Sequence, residues 1–131
     1  MKYRILIVDD EPNIVVSLEF LMRREGYEVS VARDGEEGLA SIRAELPDVI
    51  LLDVMMPKRN GYEVCQQVRS DPALAGIRIV LLTAASARRA DVDKGLALGA
   101  DAYIPKPFGT RDLVIQVNSL FDAGSAIDAV A

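Results

Sequence analysis

The sequence predicts an α/β fold in which a five-stranded parallel sheet is covered by helices on both faces. Strand-like and helix-like apolar patterns alternate five times along the chain, the mark of successive βα units. Three strand patterns, Ile5-Leu6-Ile7-Val8, Val49-Ile50-Leu51-Leu52 and Ile79-Val80-Leu81-Leu82, are continuous apolar runs of the kind buried on both faces. Each of these runs ends on a polar residue: Asp9-Asp10, Asp53 and Thr83. A carboxylate at the rim of an apolar core is costly unless it faces a crevice with partners. Parallel sheets place ligands at the carboxyl ends of their strands, so architecture and chemistry point to one rim.

Tyr3 to Asp9 reads as the first strand. Pro12 suits the first turn of a helix, with Ile14, Leu18, Leu21 and Met22 at helical spacing and Gly26 as a left-handed stop. Tyr27 to Ala32 alternates like an edge strand with one wetter face. Asp34 followed by Glu37 has capping-box spacing, so a second helix is expected to about Glu45, and Pro47-Asp48 close the loop into the Asp53 strand. Pro57 then turns the chain away. Asn60 and Glu63 give the same cap for a third helix, which Asp71-Pro72 ends. The fourth strand ends at Thr83. A weak helical pattern rests on Val92 and Leu96 with Gly99 as its stop, and Arg88 and Arg89 read as its solvated start. Ala102-Tyr103-Ile104 is a short fifth strand, and Thr110 an N-cap for a last helix carrying Leu113, Val117, Leu120 and Phe121 on one face. This gives one domain over 1–122; 123–131 has small residues without periodicity and reads as a frayed tail or a linker stub.

At 131 residues the chain can bury one sizeable core, and no apolar run approaches the roughly 20 residues of a membrane span. The N-terminus leads into a strand pattern and not into a signal peptide. A single cysteine, Cys65, excludes an internal disulfide and is compatible with the cytoplasm; with Gly61, Val64 and Val68 it reads as one buried helix face. A net charge of -5 argues against direct nucleic-acid or anionic-membrane binding. The absence of histidine removes His-based metal sites and nucleophile pairs.

If the Asp9-Asp10 and Asp53 strands are neighbours, three carboxylates crowd one crevice and at least one pKa rises unless a cation is present. Oxygen-only ligands in small number fit Mg²⁺, and the loop lacks the acid spacing of an EF-hand. Lys106, between Pro105 and Pro107, can aim its ammonium over the same rim. A hydroxyl (Thr83), a point cation and a divalent metal together suit a phosphoryl group, and with no His or Cys candidate at the rim its acceptor is a carboxylate.

Val8-Asp9-Asp10-Glu11, Leu52-Asp53-Val54-Met55-Met56-Pro57, Thr83-Ala84 and Lys106-Pro107-Phe108 together resemble, in order and spacing, the receiver domain of two-component response regulators, over roughly Lys2 to Phe121. The resemblance implies a flavodoxin-like (βα)5 three-layer sandwich with strand order 2-1-3-4-5. It implies that Asp53 is the phospho-acceptor and that Asp10 ligates Mg²⁺ directly, with Asp9 acting mostly through water. Met55 then gives the metal only its backbone carbonyl. Thr83 and Lys106 would meet the phosphoryl oxygens, the Lys106-Pro107 bond being cis, and Tyr103 would be the switch aromatic that follows Thr83 inward. The donor would be a phosphohistidine on a histidine kinase or histidine phosphotransfer protein. Output would pass to a downstream effector protein or a missing C-terminal output domain. Such a chain catalyses its own phosphorylation and slow dephosphorylation without turning over a separate substrate.

Taken singly, each of these residues has an ordinary reading: a loop Asp, an acidic pair at a helix start, a strand-end Thr, a surface Lys, an edge-strand Tyr. Their company promotes them. A flavodoxin-like electron carrier is disfavoured because Asp9-Asp10-Glu11 would repel flavin phosphate. A haloacid-dehalogenase phosphatase needs a second acid where Met55 stands. The remaining alternative is a degenerate receiver that binds proteins independently of phosphorylation, but this chain keeps every acid, the Thr and the Lys. Met55 and Ala85 offer no group to orient an attacking water, so slow self-hydrolysis is expected. The alanine-rich fourth helix, with strand five and helix five, is the expected output surface. Ala102 and Gln116 replace the acid and the Arg of the salt-bridged receiver dimer, leaving a monomer or a weak homodimer of another kind.

Overall fold

The computed structural model describes residues 3–56, 60–84, 89–106 and 108–130, with the side chains at 84, 89–91 and 122–130 left aside. Its elements are β1 (Arg4–Val8), α1 (Pro12–Arg24), β2 (Glu28–Ala32), α2 (Gly35–Glu45), β3 (Val49–Asp53), α3 (Gly61–Ser70), β4 (Arg78–Ala84), α4 (Arg89–Ala97), β5 (Ala102–Lys106) and α5 (Thr110–Val130). The strands form one parallel sheet in the order β2-β1-β3-β4-β5, so β1 and β3 are neighbours. The expected flavodoxin-like (βα)5 sandwich is therefore the fold found.

Strand periodicity divides the core between the two faces of the sheet. Ile5, Ile7, Leu51, Val80 and Leu82 pack with Val15, Leu18 and Met22 of α1 and Leu113 and Val117 of α5. Leu6, Val8, Leu52, Ile79 and Leu81 pack on the opposite face with Leu39 and Ile42 of α2 and Val64, Cys65 and Val68 of α3. Cys65 is fully buried, as its helix face required.

The caps follow the sequence signals. The Asp34 side chain accepts from the Glu37 N–H, and Asn60 with Glu63 closes a complete capping box. Gly26 and Gly99 end their helices with φ of 93° and 104°. By contrast, α2 ends on Leu46 at φ 50°, a left-handed conformation that costs a non-glycine residue about 1–2 kcal/mol.

Four expectations need correction. Leu96 is exposed, so it does not anchor α4; the helix instead meets the sheet through Gly95, where a Cβ would lie 2.4 Å from Leu81 Cδ1. A side-chain pattern could not reveal a contact made by the lack of a side chain. The fifth strand runs on to Lys106, with Pro105 in register with Thr83. Only an edge strand, which needs hydrogen bonds on one side, accommodates that proline. Thr110 is the first residue of α5 rather than its cap, since the Leu113 N–H donates to the Gly109 carbonyl. Finally, α5 continues through 123–130: no proline stops it, and alanine favours helix even without an apolar stripe. Pro57, Ala85, Arg88 and the Lys106-Pro107 bond lie outside the described residues. No helix among the described residues is long and apolar enough to cross a membrane.

Candidate active site at the carboxyl ends of the strands

Because β1 and β3 pair in register from Ile5–Val49 to Val8–Leu52, the acids that follow them emerge side by side. Asp9 is fully buried, and its Oδ1 accepts from the Glu11 N–H at 2.9 Å. Asp53 is 4% exposed, and its Oδ1 accepts from the Met55 N–H at 3.2 Å. Asp10 is exposed beside them. One carboxylate oxygen from each of Asp9, Asp10 and Asp53 lies within 4.8 Å of the others. Thr83 follows Leu82, the register partner of Asp53, and is itself buried.

Gly61, which the sequence placed only on the buried face of the third helix, holds this corner together. A Cβ on Gly61 would stand 2.5 Å from the Asp53 carbonyl oxygen, and the Gly61 N–H donates to the Val54 carbonyl. The close approach brings the start of α3 against the loop that carries Asp53 and Met55. The Asn60 cap marked where the helix begins, but nothing local marked how near it comes.

Lys106 reaches in from the end of β5 with its side chain 13% exposed. Its Nζ lies 2.9 Å from Asp9 Oδ2, 3.1 Å from Glu11 Oε1 and 3.4 Å from Asp53 Oδ2. The Glu11 contact is a directed hydrogen bond. The approach to Asp9 Oδ2 is short but poorly aligned, so that buried oxygen has no directed donor. Glu11 is a participant the sequence left without a role, because only the tertiary fold brings it to Lys106.

Burial pushes the Asp53 carboxyl up to about 6, and the Asp9 charge adds to the rise against the opposing pull of Lys106 and the Met55 N–H. Burial works against the Lys106 ammonium, yet its contacts with Asp9, Asp53 and Glu11 outweigh that cost and raise its pKa. The lysine therefore stays charged. An anionic, all-oxygen donor set with one buried oxygen lacking a directed donor fits a hard divalent cation.

Two further residues lie near this rim. Met55 is 73% exposed at the lip of the site. Tyr103 is 40% exposed on β5 and, with Leu96, Ala102, Pro105 and Gln116, lines an open groove of about 510 Å³ beside α4.

The response regulator receiver domain model matches residues 5–118. A putative response regulator from Chloroflexus aurantiacus J-10-fl is similar, with 37% identity over 91% of this chain and 97% of that one and a TM-score of 0.86. A CheY-like receiver domain protein from Methanospirillum hungatei JF-1 is 33% identical over 96% and 98% of the two chains, with a TM-score of 0.88. The chemotaxis protein CheY4 of Vibrio cholerae is 30% identical over 91% and 98%, with a TM-score of 0.85. Sheet order, rim acids and these matches agree: the chain belongs to the response regulator receiver domains of two-component phosphorelay signalling.

Proposed function

We propose that Asp53 accepts a phosphoryl group from a phosphohistidine on a histidine kinase or histidine phosphotransfer protein, in a Mg²⁺-dependent reaction within the cytoplasm. The observation that carries this reading is the Lys106 ammonium standing between Asp9 and Asp53 at the ends of three strands. A carboxylate oxygen of Asp53 bonds to phosphorus while the P–N bond breaks, and its electron pair returns to the donor imidazole. Asp9, Asp10, Asp53 and the Met55 carbonyl would hold Mg²⁺, which supplies charge neutralisation for the carboxylates and phosphoryl oxygens. Lys106 turns from its carboxylate partners to a phosphoryl oxygen, and the Thr83 hydroxyl donates to another. Met55 orients no water, which keeps hydrolysis of the product slow.

The signal leaves, in this reading, through α4, β5 and α5. Support comes from the outward Tyr103, the open groove beside it, and a helix α4 seated on a glycine rather than on large apolar anchors. As Thr83 moves toward the phosphoryl group, Tyr103 follows it inward and the groove changes shape for an effector protein or a C-terminal output domain. The unit that does this is 1–122, as a monomer or a weak homodimer.

Intact mass after incubation with acetyl phosphate and Mg²⁺ tests the chemistry. The wild-type protein gains one phosphoryl group, while Asp53→Asn and wild type in EDTA gain none. An equal gain on Asp53→Asn would overturn the assignment.

A further inference from the structure

Glu11 occupies the N-cap of α1, yet its side chain makes no capping hydrogen bond. Glutamate is a poor choice there, since Ser, Thr, Asp or Asn would gain about 1 kcal/mol from the cap. The side chain instead takes a directed hydrogen bond at 3.1 Å from Lys106, which reaches in from the end of β5. Asp9 and Asp53 meet the same ammonium, the latter at the longer distance of 3.4 Å. Glu11 is also the one of these three carboxylates that is largely solvent-exposed, with 59% of its side chain accessible, so it can leave without a desolvation cost.

We propose that Glu11 is a positioning residue, a releasable holder that keeps Lys106 on the β1 side of the site and competes with the phosphoryl oxygen for its ammonium. The proposal rests on phosphorylation at Asp53 as read above. The Lys106 ammonium has three N–H donors and already meets three carboxylates, so a phosphoryl oxygen must displace one of them, and the exposed Glu11 is the one that leaves at least cost. Phosphorylation therefore requires Lys106 to leave Glu11, and loss of the phosphoryl group is assisted by its return. Two properties follow from the one contact: a threshold against phosphorylation by small donors and a shortened life of the aspartyl phosphate.

Two variants separate position from charge. Glu11→Gln keeps the length and removes the charge; Glu11→Asp keeps the charge and is one methylene too short to hold the lysine. An ion pair with one exposed partner carries modest energy, so each variant should phosphorylate about two- to fivefold faster with phosphoramidate and lose the phosphoryl group about two- to fivefold more slowly. Wild-type rates for Glu11→Asp, with only Glu11→Gln altered, would reduce the role to general charge and overturn the proposal. So would a tenfold or greater loss of Mg²⁺ affinity in Glu11→Gln, which would make Glu11 a metal ligand. A second readout needs no phosphorylation. The Lys106 ¹⁵Nζ resonance should shift in both variants of the resting protein, and beryllofluoride should shift it in the same direction in wild type. An unmoved resonance in the variants overturns the holder role, whereas failure of wild type to take up phosphoryl at all would count against the Asp53 reading alone.

Discussion

Two cations, at opposite rims of one sheet, are held in contrasting ways. Lys106 at the carboxyl rim lies among charges: the carboxylates of Asp9, Glu11 and Asp53. Arg69 at the amino rim lies among carbonyls. Its Nε donates to Gly99 O at 2.8 Å, its Nη1 to Ile77 O at 2.7 Å and Ala75 O at 3.3 Å, and its Nη2 to Asp101 Oδ2 at 2.8 Å. Asp101 Oδ2 also accepts from the Ile79 N–H. Thus Arg69 joins the end of α3, the turn before β4 and the turn after α4 through a planar fork that a point charge cannot imitate. The lysine has three partners of one kind, and in the proposed reaction it is passed to a new anion; the arginine's fork is matched to acceptors of fixed position. This difference suits a domain whose α4 has one end near a reacting rim and the other near an anchored one.

The largest expected effect comes from breaking the anchored side. Arg69→Ala leaves several half-buried acceptors and Asp101 without their donor, and should lower unfolding free energy in urea by about 3 kcal/mol. Arg69→Lys should recover less than half of that, because one ammonium cannot replace the fork. Full recovery by lysine would show that charge alone matters at both rims.

Next is Asp53. Its carboxyl is raised to about 6 in the folded protein, so between its unfolded value and pH 6 the native state binds more protons than the unfolded one. The slope of unfolding free energy with pH is then negative, and the strained charge costs stability above that window. In EDTA at pH 7.5, Asp53→Asn should therefore stabilise the fold by about 2 kcal/mol, with the advantage shrinking toward pH 4. Thermal melts across pH check this, and Mg²⁺ should narrow the gap by stabilising wild type. A stabilisation that does not vary with pH would mean that packing, not charge, separates the two proteins.

The smallest effect compares the two glycines behind these cations. Gly99→Ala places a side chain at φ 104° and 2.7 Å from Arg69 Cγ, at a cost of about 1–2 kcal/mol without change in phosphorylation rate. Gly61→Ala should destabilise at least as much and should also slow acetyl-phosphate labelling, because the backbone it would strike at 2.5 Å belongs to Asp53 itself. Equal labelling rates in the two variants would remove the distinction between an anchoring rim and a reacting one.

Gly61 and Gly95 also show where local reading stops. The run Val49 to Asp53 declares a buried strand and a charged end, and Asn60 with Glu63 declares a helix start; both are written in neighbouring residues. How closely that helix approaches Asp53, or α4 approaches Leu81, depends on atoms far away in sequence. A glycine that makes room looks the same in sequence as one that only turns the chain. The exposure of Leu96 follows for the same reason, since a pattern read on α4 alone cannot know that Gly95 faces the sheet.

By itself, then, the sequence determined the alternation of strands and helices, the two-faced core and the polar strand ends. All of these depend on periodicity and on the cost of burying charge, which act locally. It also carried the rim motifs, through their order and spacing. Only the tertiary structure decided that Lys106 is shared among Asp9, Asp53 and Glu11, and that Asp9 Oδ2 is left without a directed donor. Those facts depend on distances between β1, β3 and β5, which the adjacency of strands in the sheet fixes and no single segment encodes.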